Sequence, residues 1–416
     1  MDILRKFVDL CAPEQWSLDR YADRVGEDIL REVGDRKVFM LVSGGVDSTV
    51  AFTLLNKVLG PERVQGLLVD TGLMRKEEVY AIQEAFAPLG IRNLLVEDAS
   101  ETFFRALKDV YEPEAKRAAI GKTFLDVQRS VSERMGLRIE DGWMLGQGTI
   151  YPDTIETGGT KHADKIKTHH NRVELIQKMM EAGLVIEPLK ELYKDEVRAL
   201  GEELSLPHDL VWRHPFPGPG LGVRILCAKE PFTLEQIEPA TDLPHVILPV
   251  KSVGVQGDGR TYRHAVALFS TERVPDASHY ERATSIPNGS RVFSRVLTCL
   301  SHSQPFDAVF TATCIDRHTS DLLRDADAIV AQHIRDAGLY EKIWQMPVVL
   351  LPIGARSGNR SIVLRPIEST DAMTAAAFHL PAKLLRAITD ELLCLPGLDA
   401  VFLDLTNKPP ATIEWE

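Results

Sequence analysis

The sequence predicts an α/β protein: a doubly wound parallel sheet, followed by an α+β domain built from two β-β-α-β units. Three observations predict it. Short apolar runs alternate with helical patterns through the first half, which is the signature of β-α-β units around a parallel sheet. The string RHPFPGPGLGVR (213–224) then breaks that alternation with a rigid, irregular connector. Beyond it, the order strand, strand, helix, strand occurs twice. The chain has 416 residues, enough for two or three domains. The expected boundaries are 1–220, 221–340 and 341–416.

In chain order, residues 1–35 carry a helical pattern with Trp16, Leu18, Tyr21, Val25, Ile29 and Leu30 on one face. KVFMLV (37–42) reads as a buried strand, and a helix follows through Leu54, Leu55 and Val58. VQGLLVD (64–70), IRNLLVEDA (91–99), GWMLGQGT (142–149) and LVIEPL (184–189) read as further strands. In such a sheet the site lies at the carboxyl ends of the strands. Ser43, Asp70, Gly146 and Glu187 fall at those ends. In the last part, VFSRVLTCLSHSQPFDAVFTATC (292–314) and LLRAITDELLCLPGLDAVFLDLT (384–406) each read as an amphipathic helix, a proline turn and a strand opened by Asp-Ala-Val-Phe. Each is preceded by a strand, a glycine-arginine turn and a strand, at 245–268 and 346–367.

Composition narrows the class. Hydrophobic content of 44% and charged content of 26% are ordinary for a globular protein. A net charge of −12 argues against broad nucleic-acid binding, which needs a basic footprint. No apolar run reaches the ~18 residues of a membrane span, and MDILRKFVDLCAPE lacks the shape of a signal peptide. Cys11, Cys227, Cys299, Cys314 and Cys394 are far apart and show no metal spacing. Reduced thiols in a cytoplasmic protein are the expectation, with no nucleic-acid or membrane partner.

The chemistry concentrates in Ser43-Gly44-Gly45-Val46-Asp47-Ser48-Thr49. A strand ends, two glycines let the backbone approach an anion, and the first turn of a helix then points its N–H groups at it. Ser43, Ser48 and Thr49 add hydroxyl donors. The loop lacks the lysine of the GxxxxGK[ST] pattern, so it is a different phosphate loop. Asp153 and Glu156 follow the fourth strand and suit Mg²⁺, which takes one or two carboxylates plus phosphate oxygens. KHADKIKTHHN (161–171) holds three lysines and three histidines and reads as a basic lid that brings Lys167 to phosphate. Lys190 and Lys194 flank a helix start, and their spacing of four places them on one face. The tail KPPATIEWE (408–416) contains Ile413 and Trp415, so it is expected to be docked.

The loop resembles the SGGxDS loop of the ATP pyrophosphatases, the PP-loop fold of adenine nucleotide α-hydrolases, which cleave ATP between the α- and β-phosphates. With EAKRAAIGKTF (114–124), GQGTIYPDTIE, IKTHHN, EPLKELYKDEVR, RHPFPGPGLGVR, VGVQGDGRTY and KPPATIEWE, the chain resembles the synthetase part of the GMP synthase family over residues 36–416. That resemblance implies a ligase that uses ATP and Mg²⁺ to adenylylate XMP and then aminates it with ammonia. It implies ATP binding by Ser43 to Thr49, with Asp47 at the metal and Asp153, Glu156 and Lys167 at the adenylylation centre, and XMP binding by Arg117, Asp258, Gln345, Lys408 and Glu414. Family members usually carry an N-terminal glutamine amidotransferase domain, and this sequence contains no such region. Ammonia is therefore expected free or from a separate glutaminase chain. In single-copy members the C-terminal unit is the dimer interface, so a duplicated unit implies a monomer. Rival readings are another PP-loop enzyme, such as an NAD synthetase, a tRNA-modifying sulfurtransferase or a paralogue acting on a related purine nucleotide, and a non-catalytic nucleotide sensor.

Overall fold

In the computed structural model, residues 18–153, 174–234, 238–256, 259–369 and 373–416 are described. The chain divides into two units. One comprises Met1–Asp70, Glu78–Asp98 and Phe124–Arg213; the other comprises Thr71–Glu77, Ala99–Thr123 and His214–Glu416.

The first unit is built on five strands: β1 (Lys37–Leu41), β2 (Val64–Asp70), β3 (Leu94–Asp98), β4 (Trp143–Gly146) and β5 (Val185–Ile186). All pair in parallel, in the order β3-β2-β1-β4-β5. The helices of this half of the chain are α1 (Leu18–Val33), α2 (Val46–Leu59), α3 (Glu78–Phe86), α4 (Ser100–Leu107), α5 (Pro113–Arg134), α6 (Glu174–Glu181), α7 (Lys194–Glu203) and α8 (His208–Val211). Of these, α4 and the start of α5 belong to the second unit. Val38, Phe39 and Met40 of β1 are all buried, as a central parallel strand covered on both faces requires. The chain moves outward from β1 to β3, then returns to β4 on the other side. The switch point therefore lies at the carboxyl ends of β1 and β4, where residues 42–45 and 147–150 leave the sheet.

The second unit holds β6 (His245–Gln256), β7 (Gly259–Leu268), β8 (Phe293–Cys299), β9 (Val309–Phe310), β10 (Val348–Leu351), β11 (Ile353–Gly354), β12 (Arg360–Leu364), β13 (Ile367–Glu368), β14 (Ala376–Ala377) and β15 (Leu398–Asp404). Besides α4 and the start of α5, it holds the helices α9 (Ala277–Gly289), α10 (Arg317–Asp336) and α11 (Ala382–Leu392). Six strands form one sheet, β10-β12-β15-β8-β7-β6. Read inward from either edge, the pattern is the same. An antiparallel hairpin (β6·β7, β10·β12) is followed by a helix and a third strand parallel to the second. The two halves meet through antiparallel β8·β15, with Phe402 opposite Cys299 and Asp404 opposite Leu297. Both sheet edges are covered. Val253 and Val255 of β6 donate to Trp415 O (2.9 Å) and Pro410 O (2.8 Å) of the tail, and Leu350 of β10 donates to Arg224 O (2.8 Å).

The expected internal register needs one correction. Residues 293–299 form a strand, not a helix, and the helix of the first half is α9, upstream. The two Asp-Ala-Val-Phe strings are therefore not equivalent. Asp399 to Phe402 lie in the main sheet, whereas Val309 and Phe310 form a two-residue strand paired with β11. The reason is burial. Every residue of β8 is buried, so its Ser, Arg and Thr are interior residues and do not mark a solvated helix face.

Those polar residues serve a buried ion cluster. Arg295 of β8 donates to Asp404 Oδ2 at 2.8 Å, and Arg365, just past β12, holds Nη1 2.9 Å from the same oxygen as an ion pair. All three side chains are fully buried. Trp415 Nε1 donates to the same oxygen (3.1 Å), and its ring lies 4.7 Å from the Arg295 guanidinium. Arg295 Nε donates to Ser252 Oγ (2.9 Å), and several other guanidinium donors take backbone carbonyls. Arg295 Nη2 donates to Thr412 O (3.1 Å) and Glu414 O (2.9 Å), while Arg365 Nε donates to Ile413 O (3.0 Å). The tail is thus docked as a row of carbonyls against two cations.

Burial pushes the Asp404 carboxyl up, but Arg365 and Arg295 outweigh it and hold it below its usual value. A depressed carboxyl stabilises the fold fully above its unfolded value of about 3.9, and that contribution is lost as the pH falls below it. Asp404→Asn strands two buried cations. It is expected to cost about 3–5 kcal/mol in denaturant unfolding at neutral pH, with the gap from wild type narrowing at acid pH. A loss below about 0.5 kcal/mol would mean that the cluster is not stabilising.

Candidate active site

β1 stops at Leu41, and Val42 N–H still donates to Leu67 O (2.9 Å), so the loop leaves from the sheet itself. Gly44 has φ +77°, a left-handed conformation that favours glycine. Gly45 is extended and caps α2. The hydroxyls hold the loop in shape. Gly45 N–H donates to Ser43 Oγ (3.2 Å), Ser43 N–H donates to Ser48 Oγ (3.2 Å), and the Ser48 and Thr49 hydroxyls donate to Gly45 O (3.0 and 2.9 Å). Val46, Asp47 and Ser48 open α2, where N–H groups lack intrahelical acceptors and face anions favourably.

Two further residues join the loop. Lys194, the first residue of α7, brings Nζ to Asp47 Oδ1 (2.8 Å) and Oδ2 (2.6 Å). Gly148, just past β4, packs against the loop backbone. A Cβ there would lie 3.0 Å from Asp47 C and 3.0 Å from Ser48 N. Gly148 is absent from the sequence-derived site residues; its signal was a glycine at the end of a strand facing the loop.

Lys190 stands apart from Lys194 in a way that corrects the expectation. It is exposed and lies in a turn closed by Lys190 N–H to Glu187 O (3.3 Å), before α7 begins. The two lysines therefore do not share a helix face. Buried Leu189 and Leu192 fix this turn. Asp153 lies in the helical residues 151–153 after β4, and its Oδ2 accepts from Ile150 N–H (3.4 Å). Thr149 donates to Glu187 at 2.5 Å. Glu156, Lys167 and Asp258 lie outside the described residues.

In the second unit, Glu414 and Gln345 come together. Gln345 Nε2 donates to Glu414 Oε1 (3.0 Å), and Arg224 donates to both Glu414 oxygens. Lys408 pairs by backbone with Ala375 in both directions (2.7 and 3.1 Å). Arg117 lies on α5, partly exposed, with Nη1 2.7 Å from Glu114 Oε1. Its neighbour Lys116 is fully buried. It donates to Ile225 O (2.8 Å) and pairs with Glu416. No described contact joins Arg117 or Lys408 to the Glu414 cluster. Sequence reasoning missed Arg224, which it read only as the end of a connector.

Among the described residues, no group of three or more His, Cys, Asp or Glu side chains forms a metal cluster. Mg²⁺ does not need one where phosphate and water complete its shell. Asp47 fits that demand: an ionised carboxylate offers about four acceptor positions, and Lys194 occupies two.

The close approach of Gly148 yields a direct expectation. Gly148→Ala should push the 43–49 loop off its position and weaken ATP binding about tenfold, since misplaced donors cost on the order of 1–3 kcal/mol. Calorimetric titration with ATP measures this. Unchanged affinity would show that the loop tolerates the displacement.

Residues 332–415 match the family model described as GMP synthase C terminal domain, and residues 20–124 match the model described as NAD synthase. The chain is 48% identical to a probable glutamine-hydrolysing GMP synthase of Leptospira interrogans, over 100% of this chain and 70% of that protein. It is 35% identical to the GMP synthase of Dictyostelium discoideum, over 98% of this chain and 67% of that one. The Bifidobacterium longum enzyme is 36% identical over 100% of this chain and 64% of its own. No described helix is long and apolar enough to cross a membrane. With a parallel sheet, a glycine-serine loop at its switch point and these relatives along its whole length, the chain belongs to the GMP synthase family of ATP-using, C–N bond-forming ligases.

Proposed function

We propose that the chain converts XMP to GMP at the expense of ATP, through an adenylyl-XMP intermediate. The C2 oxygen of XMP attacks the α-phosphorus of ATP, a ring nitrogen beside C2 gives up its proton, the bond to the β-phosphate oxygen breaks, and pyrophosphate leaves. Ammonia then attacks C2, AMP departs with the former carbonyl oxygen, and the nitrogen gives up a proton. A carbonyl oxygen is a poor leaving group, and adenylylation makes it a good one.

The observation that carries this reading is the 43–49 loop at the switch point of the sheet, with Lys194 on Asp47. Backbone N–H groups and the Ser43, Ser48 and Thr49 hydroxyls would bind the leaving pyrophosphate as charge develops on it. Asp47 would hold Mg²⁺, which supplies charge neutralisation at the phosphates when bound. Lys194 would then turn from Asp47 to phosphate. Asp153, Glu156, Lys167 and Lys190 are proposed for the adenylylation centre. Arg117, Asp258, Gln345, Lys408 and Glu414 are proposed for XMP.

Ammonia is the proposed nitrogen donor, free or from a separate glutaminase. A glutaminase nucleophile is an activated thiolate. Burial raises the Cys227 and Cys299 thiols, Cys227 to about 12, so neither of these two suits that role. The chain is expected to make GMP from XMP, ATP and Mg²⁺ with ammonium, and not with glutamine alone. Product chromatography decides the nitrogen source. Pyrophosphate release that needs XMP distinguishes this enzyme from a nucleotide sensor, which would bind both ligands without it.

The β8·β15 pairing of the two halves and the covered outer edges support a monomer. Light scattering at micromolar concentration should give a mass near 46.4 kDa. Twice that value would refute internal pairing as a substitute for dimerisation.

A further inference from the structure

Arg224 follows the turn at Gly220–Val223 and is 1% exposed. Its Nε donates to Glu414 Oε2 (3.0 Å) and its Nη2 to Glu414 Oε1 (2.9 Å). This two-bond fork fixes the plane of the carboxylate as well as its charge. Gln345 Nε2 adds a third donor, on Oε1 (3.0 Å). Of about four acceptor positions on an ionised carboxylate, Oε1 has both filled and Oε2 has one filled, among the described residues.

Arg224 is itself held from behind. Its Nη1 lies 3.9 Å from Asp327 Oδ1, and Asp327 Oδ2 lies 3.9 Å from Arg75 Nε. The Phe216 ring lies close to both arginines, 5.1 Å from the Arg224 guanidinium and 4.2 Å from that of Arg75. Backbone bonds from Arg224 N–H to Leu221 O (2.9 Å) and from Leu350 N–H to Arg224 O (2.8 Å) pin its main chain to a sheet edge. Burial pulls the guanidinium down, and the Glu414 and Asp327 carboxylates together more than offset it, so Arg224 stays charged. The cluster is pre-organised before any ligand arrives.

We propose that Arg224 is a positioning residue for the purine substrate: it locks Glu414 so that one acceptor direction, on Oε2, remains for a single ring N–H beside the C2 carbonyl. The inference rests on the reading of Glu414 as an XMP ligand. A carboxylate that rotated freely would accept from either of the N–H groups that flank C2 in xanthine. A locked one selects a single base orientation, and therefore a single direction for the C2 oxygen.

Calorimetric titration of the full chain with XMP and separately with ATP tests this, on wild type, Arg224→Lys, Glu414→Gln and the double variant, with melting temperature as a control. Arg224→Lys keeps the charge and loses the fork. It should weaken XMP binding about tenfold, as loss of a hydrogen bond to a charged group does, and leave ATP binding unchanged. In the Glu414→Gln background it should cost nothing further, because the partner it positions is gone. Glu414→Asp covers the case in which Arg224→Lys does not fold: its charge is intact but its reach is shorter, and it should lose XMP affinity to the same degree. Additive losses, or wild-type XMP affinity in Glu414→Asp, overturn the inference while leaving the functional reading intact. Failure of wild-type protein to bind XMP overturns both.

Discussion

The second unit depends on one carboxylate shared by two buried arginines. Asp404 ends the last strand of one half, Arg295 lies on the last strand of the other, and Arg365 follows the second strand of the first of these. Buried charges are tolerated only when paired and hydrogen-bonded. One carboxylate cannot neutralise two guanidiniums, so the surplus positive charge must be met by dipoles. The carbonyls of Thr406, Thr412, Ile413 and Glu414 meet it. Docking of the tail is therefore part of the electrostatic solution. It also has a directional result. With its carbonyl turned to Arg295, Glu414 sends its side chain to Arg224 and Gln345.

This explains which parts were legible in the sequence. The parallel strands were readable because each is a short apolar run ending in a turn, and the 43–49 loop because its chemistry is local. The hydrogen bonds that shape it join residues at most five apart. β8 was misread as a helix because FSRVLTC mixes polar and apolar residues, and its polar members pair with partners far along the chain. Arg295 meets Asp404 across 109 positions, and Arg224 meets Glu414 across 190. Nothing near either arginine announces its partner. The repeated Asp-Ala-Val-Phe string misled for a related reason. Asp399 accepts from Ala355 N–H at 2.8 Å and from Asn359 Nδ2 at 2.8 Å inside the fold of its own half, whereas residues 307–310 lie outside the main sheet. Tertiary context, not the tetrapeptide, sets the role of each.

Lys190 and Lys194 show the same limit at a finer scale. Spacing of four residues places side chains together only if both lie in one helix. Pro188 and the buried pair Leu189 and Leu192 spend those residues on a turn, so only Lys194 reaches the loop.

The two carboxylates proposed for metal and substrate binding are built in opposite ways. Asp47 is paired with a lysine whose side chain is 42% exposed, and its own side chain is 28% exposed. Such a pair is worth roughly 0–1 kcal/mol, and lysine is a flexible point charge that can turn to another anion. In the proposed reaction, a phosphate group or a metal ion would displace that contact at little cost. Glu414 is paired with a buried arginine through two bonds, backed by Asp327 and Phe216. Opening that pair would strand a charge and cost several kcal/mol, so a ligand at Glu414 must fit the carboxylate as it stands. A group that exchanges partners as phosphate arrives needs the first construction. A group that orients a planar base for attack on phosphorus needs the second, because alignment of the attacking atom is worth more to the rate than strength of contact.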